Sequence, residues 1–167
     1  MVTAVRTAWD VAASVPDPEL PMVTLADLGI LRSVEEDDCS VTVTITPTYS
    51  GCPAMREISR DLLHRLQRAG FADVAVRTSL APAWSSDWIT PEGRRKLAAA
   101  GIAPPNPAGR RPSGPIPLSL TVRPRTVACP RCGSTSTRET SAFSATACKA
   151  LYRCAACDEP FEYVKEI

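Results

Sequence analysis

Cys129-Pro130-Arg131-Cys132 and Cys154-Ala155-Ala156-Cys157 are two Cys-x-x-Cys knuckles with 21 residues between them, and they decide how this chain ends. Two intervening residues let both sulfurs of a knuckle turn toward one ion, and two knuckles supply a tetrahedral four-sulfur shell. The spacer is slightly longer than usual for a zinc site, which lengthens only the hairpin between the knuckles. Such a shell has no open position, so its metal folds the module and does no chemistry. The segment also has too few apolar residues to form a core without a staple. One structural zinc per chain is expected, with iron as the competing identity, because four thiolates do not select between the two metals. Cys148 lies just upstream of the second knuckle. It is a fifth thiol near the site, an alternative ligand during metal transfer, or a small buried hydrophobe beside Leu151 and Tyr152, and general cysteine behaviour favours the last.

Upstream of the knuckles, residues 104–124 hold seven of the chain's 16 prolines. Proline fixes φ and removes a backbone donor, so this stretch is expected to be a semi-rigid linker. Arg110, Arg111, Arg123, Arg125, Arg131 and Arg138 follow one another with no acid between them. A solvated linker is favoured over a docking patch for an acidic surface. The division expected is an α+β domain over residues 1–103, a Pro/Arg-rich linker over 104–125 and a four-cysteine zinc ribbon over 126–167.

In the first domain, Val5, Ala8, Trp9 and Ala12 recur at helical spacing up to Pro16 and Pro18, which predicts a helix over about residues 3–14. Ile30–Ser33 and the alternating Val41, Val43 and Ile45 predict a hairpin around the acidic turn Glu35–Asp38. Pro53 at a first helical position, an apolar stripe of Met55, Ile58, Leu62 and Leu66, and a stop at Gly70 predict a second helix. Val74 and Val76 begin a third strand. A last helix is expected from Thr90-Pro91 to Gly101. The order α-β-β-α-β-α predicts a small α/β sandwich with helices on one sheet face.

The chain has 167 residues, with 19 basic and 18 acidic side chains. That length admits one domain plus a small module, and the balanced charge excludes a global pull toward nucleic acid or membrane. No apolar run approaches the ~18 residues that would span a bilayer, and the first residues lack a signal-peptide core, so a cytoplasmic protein is expected. Seven cysteines in a reducing compartment point to metal or thiol chemistry before disulfides.

Cys52, in Thr48-Tyr49-Ser50-Gly51-Cys52-Pro53, is expected at the N-cap of the second helix, where free N–H groups stabilise a thiolate. A reactive thiol and a buried hydrophobe are about equally favoured there. The single histidine, His64, falls off the apolar stripe, which leaves a Cys-His hydrolase poorly supported. Asp17, Glu19 and Asp27 bind metal, cap turns or face water, the last two being favoured. In residues 82–88 at least one indole is expected to pack on the first domain, a core anchor being favoured over a binding hot spot.

The stretches DPELPMVTLADLGILRSVE (17–35) and VTVTITPTYSGCPAMREI (41–58) resemble the MIP18-type metal-sulfur cluster biosynthesis family, whose members take part in iron-sulfur cluster assembly or delivery. The resemblance implies that Cys52 is the functional thiol, with Asp17 and Glu19 matching the acidic loop. PAWSSDWITPEGRRKLAAAGIAPP (82–105), CPRCGS (129–134) and ACKALYRCAACDEPFEYVK (147–165) are similar to the D-subunit family of bacterial ring-1,2-phenylacetyl-CoA epoxidase (phenylacetate-CoA oxygenase) systems. That likeness extends over nearly the whole chain and moves Cys148 toward a role.

It implies a non-catalytic accessory protein of aerobic phenylacetate degradation that assists assembly of iron or iron-sulfur centres in the oxygenase and reductase subunits. A transient cluster or iron at Cys52 is then cargo, and those subunits are the partners. A general cluster-assembly factor and a purely structural docking module are the alternatives, and a homodimer is compatible with either. An oxygenase component is disfavoured, because one histidine cannot complete a 2-His-1-carboxylate or Glu-x-x-His set. Nucleic-acid binding lacks a recognition helix after the knuckles.

Overall fold

The computed structural model describes residues 7–37, 40–107 and 126–166, in two compact units that part between Ala100 and Gly101. In the first unit, helix α1 (Ala8–Ala13) starts at Thr7, which forms a reciprocal capping box with Asp10. The expected start near residue 3 lies outside the described residues. The buried face is Ala8, Val11 and Ala12, whereas Trp9, expected in the apolar stripe, is 46% exposed. One residue of advance turns a side chain by about 100°, so Ala8 and Trp9 cannot both face the sheet centre.

Strands β1 (Leu31–Glu36) and β2 (Ser40–Ile45) pair antiparallel, with a register shift between Leu31 and Ser33. β1 continues through Glu35 and Glu36, which are expected in the turn on sequence grounds. In β2, Val41, Val43 and Ile45 point into the core and the threonines between them do not. Helix α2 (Met55–Arg68) buries Ile58, Leu62 and Leu66, and the chain leaves it through Gly70 at φ +105°. Strand β3 (Asp73–Thr78) then lies parallel to β2, giving the sheet order β1-β2-β3, with α1 and α2 packed on the sheet and on each other.

A short 3-10 turn (Ser86–Trp88) leads into helix α3 (Pro91–Ala99), capped by Thr90 through Gly93 N–H at 2.9 Å. α3 is fixed to the loop before β1. Asp27 accepts from Lys96 Nζ at 2.7 Å and its carbonyl accepts from Thr90 N–H, while a Cβ on Gly93 would sit 2.6 Å from that same carbonyl oxygen. Trp84, 4% exposed, donates its indole N–H to the Leu28 carbonyl at 2.9 Å, so it is the expected core anchor. Trp88 is half-buried and stacks beneath Arg32, whose guanidinium lies 3.6 Å from the ring centroid.

The second unit opens with β4 (Ile102–Ala103), a strand absent from the sequence expectation. It pairs parallel with β7 (Pro160–Val164), and β6 (Lys149–Cys154) and β5 (Thr137–Ser141) complete the order β4-β7-β6-β5. Tyr152, Phe161 and Tyr163 fill its small core, the ring centroids lying 5.4 and 5.9 Å apart, with Ala103, Val127, Ala150, Cys129 and Cys154 around them. Most of the expected linker, residues 108–125, lies outside the described residues, together with Arg110, Arg111, Arg123 and Arg125.

Candidate metal centre and the Cys52 loop

Both knuckles follow the same backbone plan. Cys129 N–H bonds to Ser134 O at 2.9 Å, and Cys154 N–H bonds to Glu159 O at 2.9 Å, five residues on in each case. The residue after each second cysteine is left-handed, Gly133 at φ +74° and Asp158 at φ +60°. Aligned by their cysteines, CPRCGS and CAACDE place these two residues at equivalent positions. Asp tolerates that conformation better than most L residues but worse than glycine.

The two loops bring the sulfurs of Cys129, Cys132, Cys154 and Cys157 within 4.8 Å of one another. Cys129 and Cys157 are 3.8 Å apart and Cys132 and Cys154 3.6 Å. A disulfide needs about 2.05 Å. A tetrahedron of sulfurs about 2.3 Å from one ion has edges of about 3.8 Å, which these spacings match. Among the described residues no other set of His, Cys, Asp or Glu side chains gathers its ligand atoms this way.

The charge pattern asks for a cation. Burial pushes the Cys154 thiol up, but N–H groups of Cys157 and Ala156 donate to it and, with neighbouring thiols, bring it down to about 7. Cys157 receives the opposite net push. Although the Glu159 N–H draws it down, burial and the other three thiols raise it to about 12. The cluster gives up its first protons readily and its last ones reluctantly, and a divalent ion removes that obstacle. Arg131 of the first knuckle pairs with Glu159 of the second, which holds the guanidinium above its ordinary value and ties the knuckles together. Sequence reasoning does not identify this pair, since 28 positions separate the partners.

Cys148 precedes Lys149, the first residue of β6, while Cys154 ends that strand. At 3.3 Å per residue the two lie roughly 20 Å apart, so Cys148 is no fifth thiol of the cluster. It is half-buried, with Thr146 Oγ1 3.1 Å from its sulfur.

In the first unit, α2 begins at Met55 with Ala54 as its cap, so Cys52 lies two residues before the cap. Cys52 N–H bonds to Tyr49 O at 3.2 Å and Cys52 O accepts from Met55 N–H at 3.5 Å, a tight turn that leads into the helix. Proline at 53 stops an α-type bond at that position, and the turn absorbs the difference. The Cys52 thiol is half-buried. Asp17 is 6% exposed, and its Oδ1 accepts the N–H groups of Glu19 and Leu20 at 2.9 Å each. That carboxylate closes its own turn. Cys52, Asp17 and Glu19 are not gathered into a three-ligand cluster. His64 is exposed, as expected from its place off the apolar stripe.

A MIP18-like domain with a half-buried thiol ahead of its second helix, followed by a zinc ribbon, defines the class. The family described as iron-sulfur cluster assembly protein matches residues 6–76, and the PaaD zinc beta ribbon domain matches residues 115–165. The chain belongs to the D-subunit family of phenylacetyl-CoA epoxidase systems. It is 42% identical, over 96% of its length and 92% of the relative's, to the D-subunit protein of Escherichia coli (strain K12) named "Putative 1,2-phenylacetyl-CoA epoxidase". An Fe-S protein maturation auxiliary factor of Porphyromonas gingivalis (strain ATCC BAA-308 / W83) is 34% identical over 50% of this chain and 81% of its own. A crystal structure of a domain of unknown function, DUF59, from Bacillus anthracis aligns with a TM-score of 0.50 and 26% identity, covering 54% of this chain and 87% of that one. No helix among the described residues is long and apolar enough to cross a membrane.

Proposed function

We propose that the protein is a non-catalytic maturation factor of a phenylacetyl-CoA epoxidase system, in which Cys52 carries iron or an iron-sulfur cluster as cargo toward the oxygenase or reductase subunits. The single observation that carries this reading is the union on one chain of an iron-sulfur assembly domain with a D-subunit ribbon. A half-buried thiol in a turn ahead of a helix suits labile holding, because one strong ligand with exchangeable partners binds less tightly than a closed four-sulfur cage. Asp17, whose Oδ1 closes a turn, acts in this reading by shaping the loop, and Glu19 follows it in the same turn. In the ribbon, Cys129, Cys132, Cys154 and Cys157 hold one structural zinc, which supplies folding free energy and no reactive position.

Cluster reconstitution on wild-type and Cys52→Ser protein, with metal analysis of co-expressed oxygenase and reductase subunits, tests the proposal. The serine variant should stay folded, since the swap barely changes volume, and should lower client metal occupancy and growth on phenylacetate. Full occupancy with normal growth overturns the role of this thiol and leaves a structural docking module ahead. That second reading draws support from the separation of Asp17, Glu19 and Cys52.

A further inference from the structure

Arg138 of β5 and Arg153 of β6 are direct cross-strand partners, so their side chains leave the same face of the ribbon sheet. Tyr152, the next residue of β6, points to the other face and into the core. Like charges placed directly opposite destabilise a strand pair, and both arginines are exposed, so packing does not require them there. A recess of about 360 Å³ opens beside them, lined by Arg138, Arg153, Cys154, Ala155 and Asp158. One carboxylate serves the pair: Asp158, itself 80% exposed, lies 3.3 Å from Arg153. Arg138 has no ion pair among the described residues. Two positions back along β6, on the same face as Arg153, Leu151 is 38% exposed.

We propose that this Arg138–Arg153 face is a docking site for an acidic segment of a partner protein, with two carboxylates meeting the arginines and an apolar neighbour covering Leu151. The proposal rests on the preceding functional reading only for the partner's identity. Guanidinium forks recognise carboxylates in a bidentate manner, and desolvation by a docked segment strengthens such pairs relative to open water. The recess gives the incoming side chains room without displacing core residues.

The test uses the full zinc-loaded chain titrated with an octaglutamate peptide, alongside the Arg138→Gln/Arg153→Gln and Arg138→Glu/Arg153→Glu variants. Affinity should fall about fivefold per arginine removed at low salt, with zinc content and melting temperature unchanged. The Glu variant should bind octalysine in place of octaglutamate. Equal octaglutamate affinity for wild type and the Gln variant overturns the proposal. Loss of zinc from the Gln variant also overturns it, because the arginines would then serve as counter-ions of the tetrathiolate. Competition by inorganic phosphate as effective as by the peptide marks a small-anion pocket and overturns protein docking. If wild-type protein captures purified epoxidase subunits and the Gln variant captures them equally well, the face falls and the functional reading stands. If no epoxidase subunit is captured by wild type while octaglutamate binding still depends on the arginines, the face stands and the epoxidase reading falls.

Discussion

At the scale of single residues, three glycines and two tryptophans rank the local constraints. A Cβ at Gly133 meets nothing within 4 Å, so Gly133→Ala costs only its left-handed backbone, about 1 kcal/mol of ribbon stability. Gly29 is left-handed too, at φ +67°, but a Cβ there would lie 2.6 Å from the Trp88 Cβ. Gly29→Ala should therefore cost more than Gly133→Ala, in the first unit, as denaturant unfolding of each variant would measure. A Cβ on Gly93 faces a backbone carbonyl that cannot move aside as a side chain can, so that site is equally closed. Trp84→Ala empties a buried site and orphans the Leu28 carbonyl, a loss of about 3–5 kcal/mol. Trp88→Ala removes a half-buried ring and its guanidinium contact, about 1–2 kcal/mol. Equal costs for the two would remove the distinction between anchor and surface ring.

At the scale of elements, α3 is held to the loop before β1 by one carboxylate, and this sets a pH dependence. Burial raises Asp27, but the hydrogen bond from Lys96, the Thr24 N–H and the Lys96 charge outweigh it and leave the carboxyl below its ordinary value. A depressed folded value means that the contribution is fully present above the unfolded value near 3.8 and is lost as pH falls through the lower, folded one. Asp27→Asn should cost about 1–2 kcal/mol at neutral pH, and the difference from wild type should close in strong acid. An unchanged difference at every pH would rule out the charge and leave only the hydrogen bonds. Capping and patterning make these elements legible in advance: Thr90-Pro91 opens α3, Gly70 closes α2, and the period-2 valines of β2 define a buried face. Trp9 departs from expectation because α1 is six residues long, too short for a stripe to average out one side chain. The Cys52 turn escapes a sequence reading because Pro53 suits both a helix start and the turn before it. β4 is hidden because its pairing with β7 joins residues some sixty positions apart, and no local pattern encodes a two-residue parallel bridge. The four sulfurs are legible because knuckle spacing is itself local geometry, whereas the Arg131–Glu159 tie and the Arg138–Arg153 pair depend on which strands meet.

At the scale of the whole molecule, two compact units differ in what holds them. The first buries apolar residues from three helices and a sheet, among them Leu25, Ile45, Ile58, Leu62, Leu66 and Leu97, and contains no gathered ligand set among its described residues. The second buries two tyrosines, a phenylalanine, a valine, two alanines and two of the four clustered cysteines, so a quarter of its small core is ligand sulfur. Burying two thiolates without a cation is costly, and burying them on a divalent ion is favourable, which makes the ion part of the second core. Replacing any of Cys129, Cys132, Cys154 or Cys157 by serine should therefore abolish metal binding and unfold residues 101–166, while the first unit keeps its own unfolding transition. Calorimetry with elemental analysis reads both effects. Wild-type protein should carry one equivalent of metal per chain, and Cys148→Ser should retain it, because that thiol lies at the far end of β6. Less than about half an equivalent of zinc plus iron in freshly purified protein would count against a closed structural site. Metal loss from Cys148→Ser would show the ligand set to be wrong. A ribbon starting at Gly101 should also bind the metal more tightly than one starting at Thr126, because only the longer fragment keeps β4 and the buried Ala103 against β7. Equal affinities would place β4 outside the folding unit and restore the boundary at residue 126.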